Sequence, residues 1–319
     1  MPTALLLWKE VTDVAQVEKY TLQQAKAIIA HVERTGATHS NESINPELTR
    51  LNYNLWPPAD PDKLILDTDT PGQSSGRYAW RRLEKRLSQV SCLDRDDLNV
   101  LCDWCIHLGP DVPPSYDSYE AFFKACVRYI CQLYGAENVV FAAVHMDEET
   151  PHIHIGFVPV VQKELKLRSN ASEAKRAEYE AAVAAGKTTV ERVDAHTVIN
   201  RRHLQGWHGG FQQFMISALG YDPAVYTGVT EALGGNLTVQ QLKKQPPDWR
   251  RKRNKAADAF HTVRRAEKSG SRPPLNARQE YAEAKKNPPQ ANPYRTEKKP
   301  SGLDDLIKGA KDRGGRSGW

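Results

Sequence analysis

Long apolar runs are missing from this sequence of 319 residues. A transmembrane helix needs about 20 consecutive apolar residues, and no stretch approaches that length. The apolar stretch "ALLLW" at residues 4–8 is also too short for the central segment of a signal peptide. We therefore expect a cytoplasmic protein with no membrane-spanning segment.

Cysteine is scarce as well, with five residues, an odd number, and no framework spacing. This excludes a disulfide-stabilised scaffold and is typical of a reducing compartment. Cys102 and Cys105 form a C-x-x-C pair, with His107 beyond it, that resembles half of a zinc site. No second half occurs elsewhere, and the pair lies in the strand-like run "LNVLCDWCIHLG". We interpret both as cysteines of a strand or core.

Neither sign of charge dominates the whole chain, whose net charge is +5. The charges are nevertheless segregated, because residues 241–319 hold 21 Lys and Arg against 9 Asp and Glu, a net +12, whereas residues 1–240 carry −7. The basic end is rich in proline and glycine, which predicts a mobile segment apart from helices around 249–268 and 302–311. A mobile cationic segment favours a polyanionic partner, and nucleic acid fits best.

The rest of the chain mixes helical and strand-like patterns without an internal repeat. Thr21 is a predicted N-cap, and Gly135 is the predicted end of an amphipathic helix that begins near Ser118. The mixture indicates an α+β fold with a mainly antiparallel sheet flanked by helices. We expect this fold in residues 1–220, followed by a basic helical and flexible segment in 221–319. The predicted strands cover 3–11, 98–107 and, as a pair, 138–160, with a short extended piece at 51–55; the predicted helices cover 22–34, 76–90, 118–135, 172–186 and 201–220.

The densest group of reactive side chains lies in "AAVHMDEETPHIHIGFVPV", residues 142–160. The apolar run before it indicates a buried strand, and "DEETP" indicates a reversal of the chain. In the return strand, His152 and His154 alternate with Ile153 and Ile155. Alternate side chains of a strand share one face, about 6.5 Å apart. We therefore expect the isoleucines in the core and both histidines on the opposite face.

An antiparallel return strand also brings His145 close to the other two histidines. Three converging imidazoles suit a divalent metal that keeps open positions for substrate and water. Among the carboxylates of the turn, we select Glu148 as the group that orients a ligand or activates a nucleophile. Asp147 and Glu149 are interpreted as solvated turn residues.

A second polar segment lies nearer the N-terminus. His31 and Arg34 share one face of the predicted first helix, and the loop after it offers short polar side chains that can bond sugar and phosphate oxygens. For each single residue, the alternative is an ordinary polar loop whose Asn and Ser side chains cap turns. The candidate DNA-binding residues are Arg34, His39, Asn41, Asn45, Arg50, Asn52 and Tyr53.

The segments "AHVER", "THSNESINP", "LNYNL" and "VHMDEETPHIHIGFVP" resemble the plasmid mobilisation relaxases of the Mob/Pre (MobV) family, which belong to the HUH single-strand endonucleases. The resemblance covers residues 1 to about 220, and its most specific motif is H-x-D-E-x-T-P-H-x-H. It implies a relaxase that nicks one strand at a plasmid origin of transfer. Such an enzyme stays attached to the 5′ phosphate and later rejoins the ends during conjugative mobilisation.

The resemblance also implies roles for individual residues. It implies that the three histidines bind the metal, that Glu148 assists the nucleophile, and that His31 is the nucleophile where most relatives use tyrosine. Neutral imidazole is a competent nucleophile at physiological pH. Tyr20 and Tyr53 lie in the same region and are rival nucleophiles.

The implied cofactor is Mn²⁺ or Mg²⁺, although three imidazoles also accept Zn²⁺. The implied partners are plasmid DNA at the transfer origin, in single-stranded or hairpin form, and a conjugation coupling protein. Longer members of the family carry a C-terminal extension with coiled-coil character. Residues 241–319 show no sustained heptad, so dimerisation by that route is in doubt.

Two other functions fit parts of the sequence. A histidine-rich nucleotide hydrolase of the H-x-H-x-H type would need a third alternating histidine, but position 156 is glycine. A non-catalytic DNA-binding or replication-initiator module would keep the fold without cleavage. The presence of all the proposed ligands and of a nucleophile argues against this second alternative.

Overall fold

A six-stranded sheet forms the centre of the first structural unit. The computed structural model divides the chain into two units, residues 1–226 and 227–319. It describes residues 14–35, 44–56, 65–67, 78–167, 169–226 and 247–286. The predicted strand at 3–11 and the predicted helix at 302–311 lie outside these residues. The predicted boundary after residue 220, between a relaxase domain and a basic C-terminal segment, stays a prediction.

The order of the strands in the sheet differs from their order in the sequence. They lie in the order β1-β4-β6-β5-β2-β3, and every neighbouring pair is antiparallel. This confirms the predicted α+β fold with an antiparallel sheet. A separate two-stranded sheet of β7 and β8 was not predicted. The strands are β1 (Ala15–Thr21), β2 (Tyr53–Trp56), β3 (Ile65–Asp67), β4 (Asn99–His107), β5 (Val139–His145), β6 (His152–Phe157), β7 (Val160–Glu164) and β8 (Thr189–Val193).

The helices begin and end largely where the sequence predicts. Thr21 caps the first helix in a capping box with Gln24, as predicted for the N-cap. The third helix ends at Gly135, whose φ of 86° is accessible to glycine, but it begins after Ser115 and not at Ser118. The helices of the first unit are α1 (Leu22–Val32), α2 (Tyr78–Gln89), α3 (Tyr116–Tyr134), α4 (Glu173–Ala184), α5 (Ala195–Val198) and α6 (Arg201–Leu219).

The large sheet separates two apolar clusters. On one face, residues of α3 and α6 pack with Ile153, Ile155 and Trp104, whose ring stacks on Trp207 at 3.6 Å between centroids. On the other face, residues of α1 and α2 pack against β4 and β5. Because side chains alternate along a strand, the histidines of β6 lie on the side of α1. The prediction that Ile153 and Ile155 face the core is confirmed.

Gly156 ends the row of histidines on β6. A Cβ atom at this position would lie 2.2 Å from the ring of Phe141, which crosses the strand there. A side chain at position 156 would force the Phe141 ring to shift, so the packing of the neighbouring strand favours glycine. A third alternating histidine is absent from the sequence, and it would clash with this ring.

The described part of the second unit contains two helices, α7 (Pro247–Lys268) and α8 (Leu275–Lys286). The first confirms the helix predicted around 249–268. The second corrects the expectation of a mobile segment there, because Ala284 and Phe260 pack with the alanines at 256 and 257. A cross-helix ion pair of Lys255 with Glu280 adds to this contact. Among the described residues, no helix has the length and apolar character needed to span a membrane.

Candidate active site

Three imidazoles converge at one end of the β5–β6 hairpin. His145 is the last residue of β5 and pairs with His152, the first residue of β6, while His154 lies opposite Ala143. The ring centroids are 5.2 Å apart between 145 and 152, 5.2 Å between 145 and 154, and 5.1 Å between 152 and 154. All three side chains are buried. The structure thus brings the predicted trio together.

A backbone or carboxylate acceptor orients each ring. His145 Nε2 donates to the carbonyl of Val32 at 3.0 Å, and His152 Nδ1 donates to the carbonyl of Thr150 at 2.9 Å. His154 Nδ1 lies 2.7 Å from Oδ2 of Asp103. Such acceptors fix the tautomer and leave the second ring nitrogen able to bind a metal. Accordingly, Nδ1 of His145 is buried and has no hydrogen-bond partner among the described residues.

The neutral form of the rings is favoured at two of the three positions. Burial, together with the neighbouring His154, lowers the pKa of His152 to about 4 and holds the pKa of His145 well below its usual value. Burial also opposes the charged form of His154, but the carboxylate of Asp103 outweighs it and raises the pKa of His154. The trio therefore combines two weakly basic imidazoles with one more strongly basic imidazole.

Asp103 is a functional candidate that was missed from the sequence. It lies in the middle of β4, is buried, and holds His154 as described above. The available signal was strand alternation, because Asp103, Cys105 and His107 share one face of β4. In the paired register, Cys105 lies opposite His154 and His107 lies opposite His152. The interpretation of "CDWC" as strand cysteines holds, but only Cys102 lies in the core, and Cys105 faces the histidines.

His31 lies against the trio from the last turn of α1. Its ring centroid is 5.5 Å from that of His145 and 5.4 Å from that of His154, and its Nε2 is 3.8 Å from Oε1 of Glu148. Its side chain is 32% exposed, so this is the ring that solvent and substrate can reach. Burial, then the charges of His154 and Arg34, lower the pKa of His31 to about 4. The ring is therefore neutral at physiological pH.

Arg34 connects the acidic turn, which contains Asp147 and Glu148, to the end of α1. Its guanidinium donates to both carboxylate oxygens of Asp147, at 3.1 and 2.7 Å, to Glu148 at 2.6 Å and to the carbonyl of His31 at 3.0 Å. Thr49 also donates to Asp147 at 2.9 Å. The expectation that Asp147 merely solvates the turn is therefore wrong, because its side chain is fully buried in an ion pair.

This ion pair keeps both carboxylates ionised. Burial raises the pKa of Asp147, but the Arg34 guanidinium outweighs it, and the net pKa is below the usual value. The pKa of Glu148 is also below its usual value, because the neighbouring His152 and the bond from Arg34 outweigh burial. Because Arg34 is only 4% exposed, the structure shows an internal ion pair and no free cation at this position. The predicted phosphate contact of Arg34 stays a prediction.

The polar segment before β2 lies beside the acidic turn. Asn52 is buried and accepts from the backbone N–H of Met146 at 2.7 Å, and the backbone N–H of Asn45 donates to the carbonyl of Asp147 at 2.7 Å. Arg50 is exposed on a 3₁₀ turn. These contacts support the turn, and the predicted DNA contacts of this segment stay predictions. The predicted residues His39 and Asn41 lie outside the described residues.

The two rival tyrosines are held by other contacts. The hydroxyl of Tyr20 donates to Glu18 at 2.8 Å, and burial, then the charge of Asp103, raise its pKa. The hydroxyl of Tyr53 is buried without a hydrogen-bond partner among the described residues, and burial raises its pKa too. The phenolate form of both tyrosines is therefore disfavoured.

The side chains form overlapping sets that could hold a metal ion. In each set, three ligand atoms lie within 4.8 Å of one another. Imidazole nitrogen is a suitable ligand for Mn²⁺, Zn²⁺ and other transition metals, and a carboxylate oxygen adds affinity for harder cations. The sets are His31, His145 and His154; His145, Glu148 and His152; and Cys105, His152 and His154.

Comparisons with a family model and with curated proteins point to the same family. The model of the Mob_Pre family, "Plasmid recombination enzyme", matches residues 10–197, more than half of the chain. A plasmid recombination enzyme of Streptococcus agalactiae is 32% identical over 159 residues, which are 49% of this chain and 30% of that protein. One of Lactiplantibacillus plantarum is 30% identical over 148 residues, 46% of this chain and 37% of that protein. The chain spans about a third of the length of these curated relatives.

Solved structures also resemble the chain. The Mn-bound crystal structure of the MobM relaxase domain with plasmid oriT DNA has a TM-score of 0.49 and 22% sequence identity. The similarity covers 72% of this chain and 97% of that domain. A second MobM complex, with a longer oriT DNA of 26 nucleotides, has a TM-score of 0.38 and 18% identity.

Proposed function

Because the chain belongs to the Mob_Pre family of plasmid recombination enzymes, we propose that it nicks and rejoins one strand of plasmid DNA at an origin of transfer. The observation that carries the proposal is the position of His31. A neutral, partly exposed imidazole lies within 5.5 Å of two rings of a buried trio that suits a metal. A nucleotide hydrolase or a simple DNA-binding module gives no reason for this arrangement.

The trio fits a divalent cation by the chemistry of its donors, and each set whose ligand atoms lie within 4.8 Å of one another combines two of its members with His31, Glu148 or Cys105. His145 offers a buried Nδ1 with no hydrogen-bond partner among the described residues, and the other two rings each have one nitrogen committed to an acceptor. We propose that His145, His152 and His154 hold Mn²⁺ or Mg²⁺. Such a cation would polarise the scissile phosphate and stabilise charge on its non-bridging oxygens.

His31 is the proposed nucleophile. The lone pair of one ring nitrogen attacks phosphorus, an N–P bond forms, and the bond from phosphorus to the 3′ oxygen breaks. The 3′ oxygen leaves and takes up a proton as a hydroxyl, and the 5′ phosphate stays on the protein. The proton of the other ring nitrogen passes to Glu148, whose Oε1 is 3.8 Å from Nε2. Rejoining is the reverse of these steps.

Arg34 and Asp147 act as positioning residues in this proposal. Arg34 binds Glu148 and Asp147 together and also bonds the carbonyl of His31, so one guanidinium sets the distance between base and nucleophile. Catalytic groups need to be held within a fraction of an ångström of their productive geometry. The exposed Arg50 and Asn45 are the members of the polar segment best placed to meet DNA.

The basic helices of the second unit are a further proposed DNA contact. Exposed Arg and Lys side chains line α7, which predicts binding to the phosphate backbone without sequence specificity. Plasmid DNA at the transfer origin, single-stranded or as a hairpin, is the proposed substrate. A conjugation coupling protein is a further proposed partner.

The test uses supercoiled plasmid that carries the cognate origin. With Mn²⁺ the full chain should relax the plasmid and leave protein on the 5′ end, and addition of chelator should stop the reaction. His31→Ala should abolish the covalent adduct, whereas Tyr53→Phe should retain it. A shift of the DNA without nicking would contradict the proposal and favour a binding module, and hydrolysis of free nucleotides without nicking would favour a hydrolase.

A further inference from the structure

We propose that Cys105 gives this centre a second, sulfur-containing metal site, through which Zn²⁺ inhibits the enzyme. The binding site is inferred from the geometry alone. The inhibition rests on the proposed nuclease function, because it requires that the same histidines serve the nicking reaction.

Cys105 lies directly beside two members of the trio. It is the cross-strand partner of His154, and its sulfur forms a set with ligand atoms of His152 and His154 that lie within 4.8 Å of one another. All three side chains are buried. In a tetrahedral zinc site, with Zn–S of about 2.3 Å and Zn–N of about 2.0–2.1 Å, ligand atoms are about 3.3–3.8 Å apart.

His107 lies beside this set on the same face of β4. Its Nε2 lies 3.8 Å from the sulfur of Cys105, and its ring centroid is 5.0 Å from that of His152. Its Nδ1 is buried without a hydrogen-bond partner among the described residues. A buried polar atom with no partner is unfavourable and marks a position that a ligand can satisfy. The nicking reaction proposed above uses neither His107 nor Cys105.

The sulfur ligand makes the two proposed sites prefer different metals. A thiolate is a soft ligand that selects Zn²⁺ over Mn²⁺ and Mg²⁺. When Zn²⁺ binds, the thiol of Cys105 releases its proton to solvent and a sulfur–zinc bond forms. Because His152 and His154 belong to both sets, zinc held by Cys105 withdraws two ligands from the proposed manganese site. Zinc should therefore compete with manganese and stop nicking.

The binding part is tested by cobalt spectroscopy on the full chain. Co²⁺ substitutes for Zn²⁺, and a sulfur ligand produces an intense near-ultraviolet charge-transfer band. The wild type should show this band, and Cys105→Ser should lose it. Cys102→Ala is the matched control, because Cys102 lies three residues earlier on β4 but faces the opposite core, and it should keep the band. A wild type without the band, or a band that survives in Cys105→Ser and in Cys105→Ala, would overturn the site.

The proposed inhibition is tested by titrating Zn²⁺ into nicking reactions at a fixed Mn²⁺ concentration. The rate of each variant is expressed relative to its own rate without zinc. Half-inhibition of Cys105→Ser should need about ten- to hundredfold more zinc than half-inhibition of the wild type, the range seen when a supporting metal contact is lost. Equal sensitivity of the two proteins would overturn the regulatory role. If the wild type does not nick at all, the proposed function fails, and the cobalt spectrum still decides the sulfur site.

Discussion

Asp103 offers the sharpest test of how the fold tunes its proposed metal ligands. The carboxylate lies 2.7 Å from Nδ1 of His154, and both groups are buried, so little solvent is available to replace the contact. Asp103→Asn keeps an acceptor oxygen but removes the charge. Loss of such an outer carboxylate weakens metal binding by about 10- to 100-fold. This corresponds to about 1.4–2.8 kcal/mol at 25 °C.

The pH dependence of this loss has a definite sign. Asp103 raises the pKa of His154, so in the wild type a proton competes with the metal for this ring as the pH falls. Asp103→Asn removes the cause of the raised pKa and therefore weakens the proton as well as the metal. The deficit in Mn²⁺ affinity should be largest at high pH and should shrink as the pH is lowered.

Calorimetric titration of the full chain with Mn²⁺ measures this effect. Asp97→Asn is the matched control, because Asp97 is an exposed carboxylate shortly before the same strand and is paired only at the surface with Arg95. Thermal unfolding without metal should show that both variants fold. The reasoning is refuted if Asp103→Asn binds Mn²⁺ as tightly as the wild type, or if Asp97→Asn loses as much affinity.

Four further outcomes follow from the same geometry. Because the pKa of His31 is about 4, single-turnover nicking at saturating Mn²⁺ should lose its rate only as the pH falls toward about 4. An acid limb near 6.5 would contradict a nucleophile that is neutral above that pH. Gly156→Ala should lower the free energy of unfolding, measured by urea denaturation, by about 1–3 kcal/mol because its Cβ overlaps the ring of Phe141. Gly209→Ala should not lower it, because no other side chain of the described residues lies within 4 Å of a Cβ at that position. Equal effects of the two substitutions would refute the packing argument. Arg34→Ala should destabilise the fold by about 3–5 kcal/mol because it leaves buried carboxylates unpaired. Arg50 is exposed, so Arg50→Ala should change the free energy of unfolding by less than about 0.5 kcal/mol. It should also make DNA binding less dependent on salt concentration. An unchanged salt dependence would exclude a contact between Arg50 and a phosphate.

Much of the centre of the fold could be predicted because its patterns are local. The alternation of His152 and His154 with two isoleucines is enough to define a strand with a polar and an apolar face. Thr21 followed by Gln24 is a local capping signal, and it sets the start of the helix that carries His31. The convergence of His145 with the other histidines follows from one short turn.

The features that were missed depend on contacts between distant parts of the chain. Asp103 becomes informative only when β4 pairs with β6, a contact across about fifty residues of sequence that no local pattern reveals. Asp147 looked like a turn residue because its partner, Arg34, is far away in the sequence. The helix at Leu275–Lys286 was hidden by the prolines around it, although its alanines and charged residues favour a helix once it packs on a neighbour.

The central claim is that a neutral imidazole on α1 attacks the phosphate beside three histidines of the sheet, and the most direct measurement is the identity of the modified residue. The covalent adduct formed on origin DNA with Mn²⁺ should be digested under alkaline conditions, which preserve a phosphoramidate, and the nucleotide-bearing peptide should be sequenced by mass spectrometry. The account predicts the modification on His31 and its loss in acid. An acid-stable modification on Tyr20 or Tyr53 would contradict it.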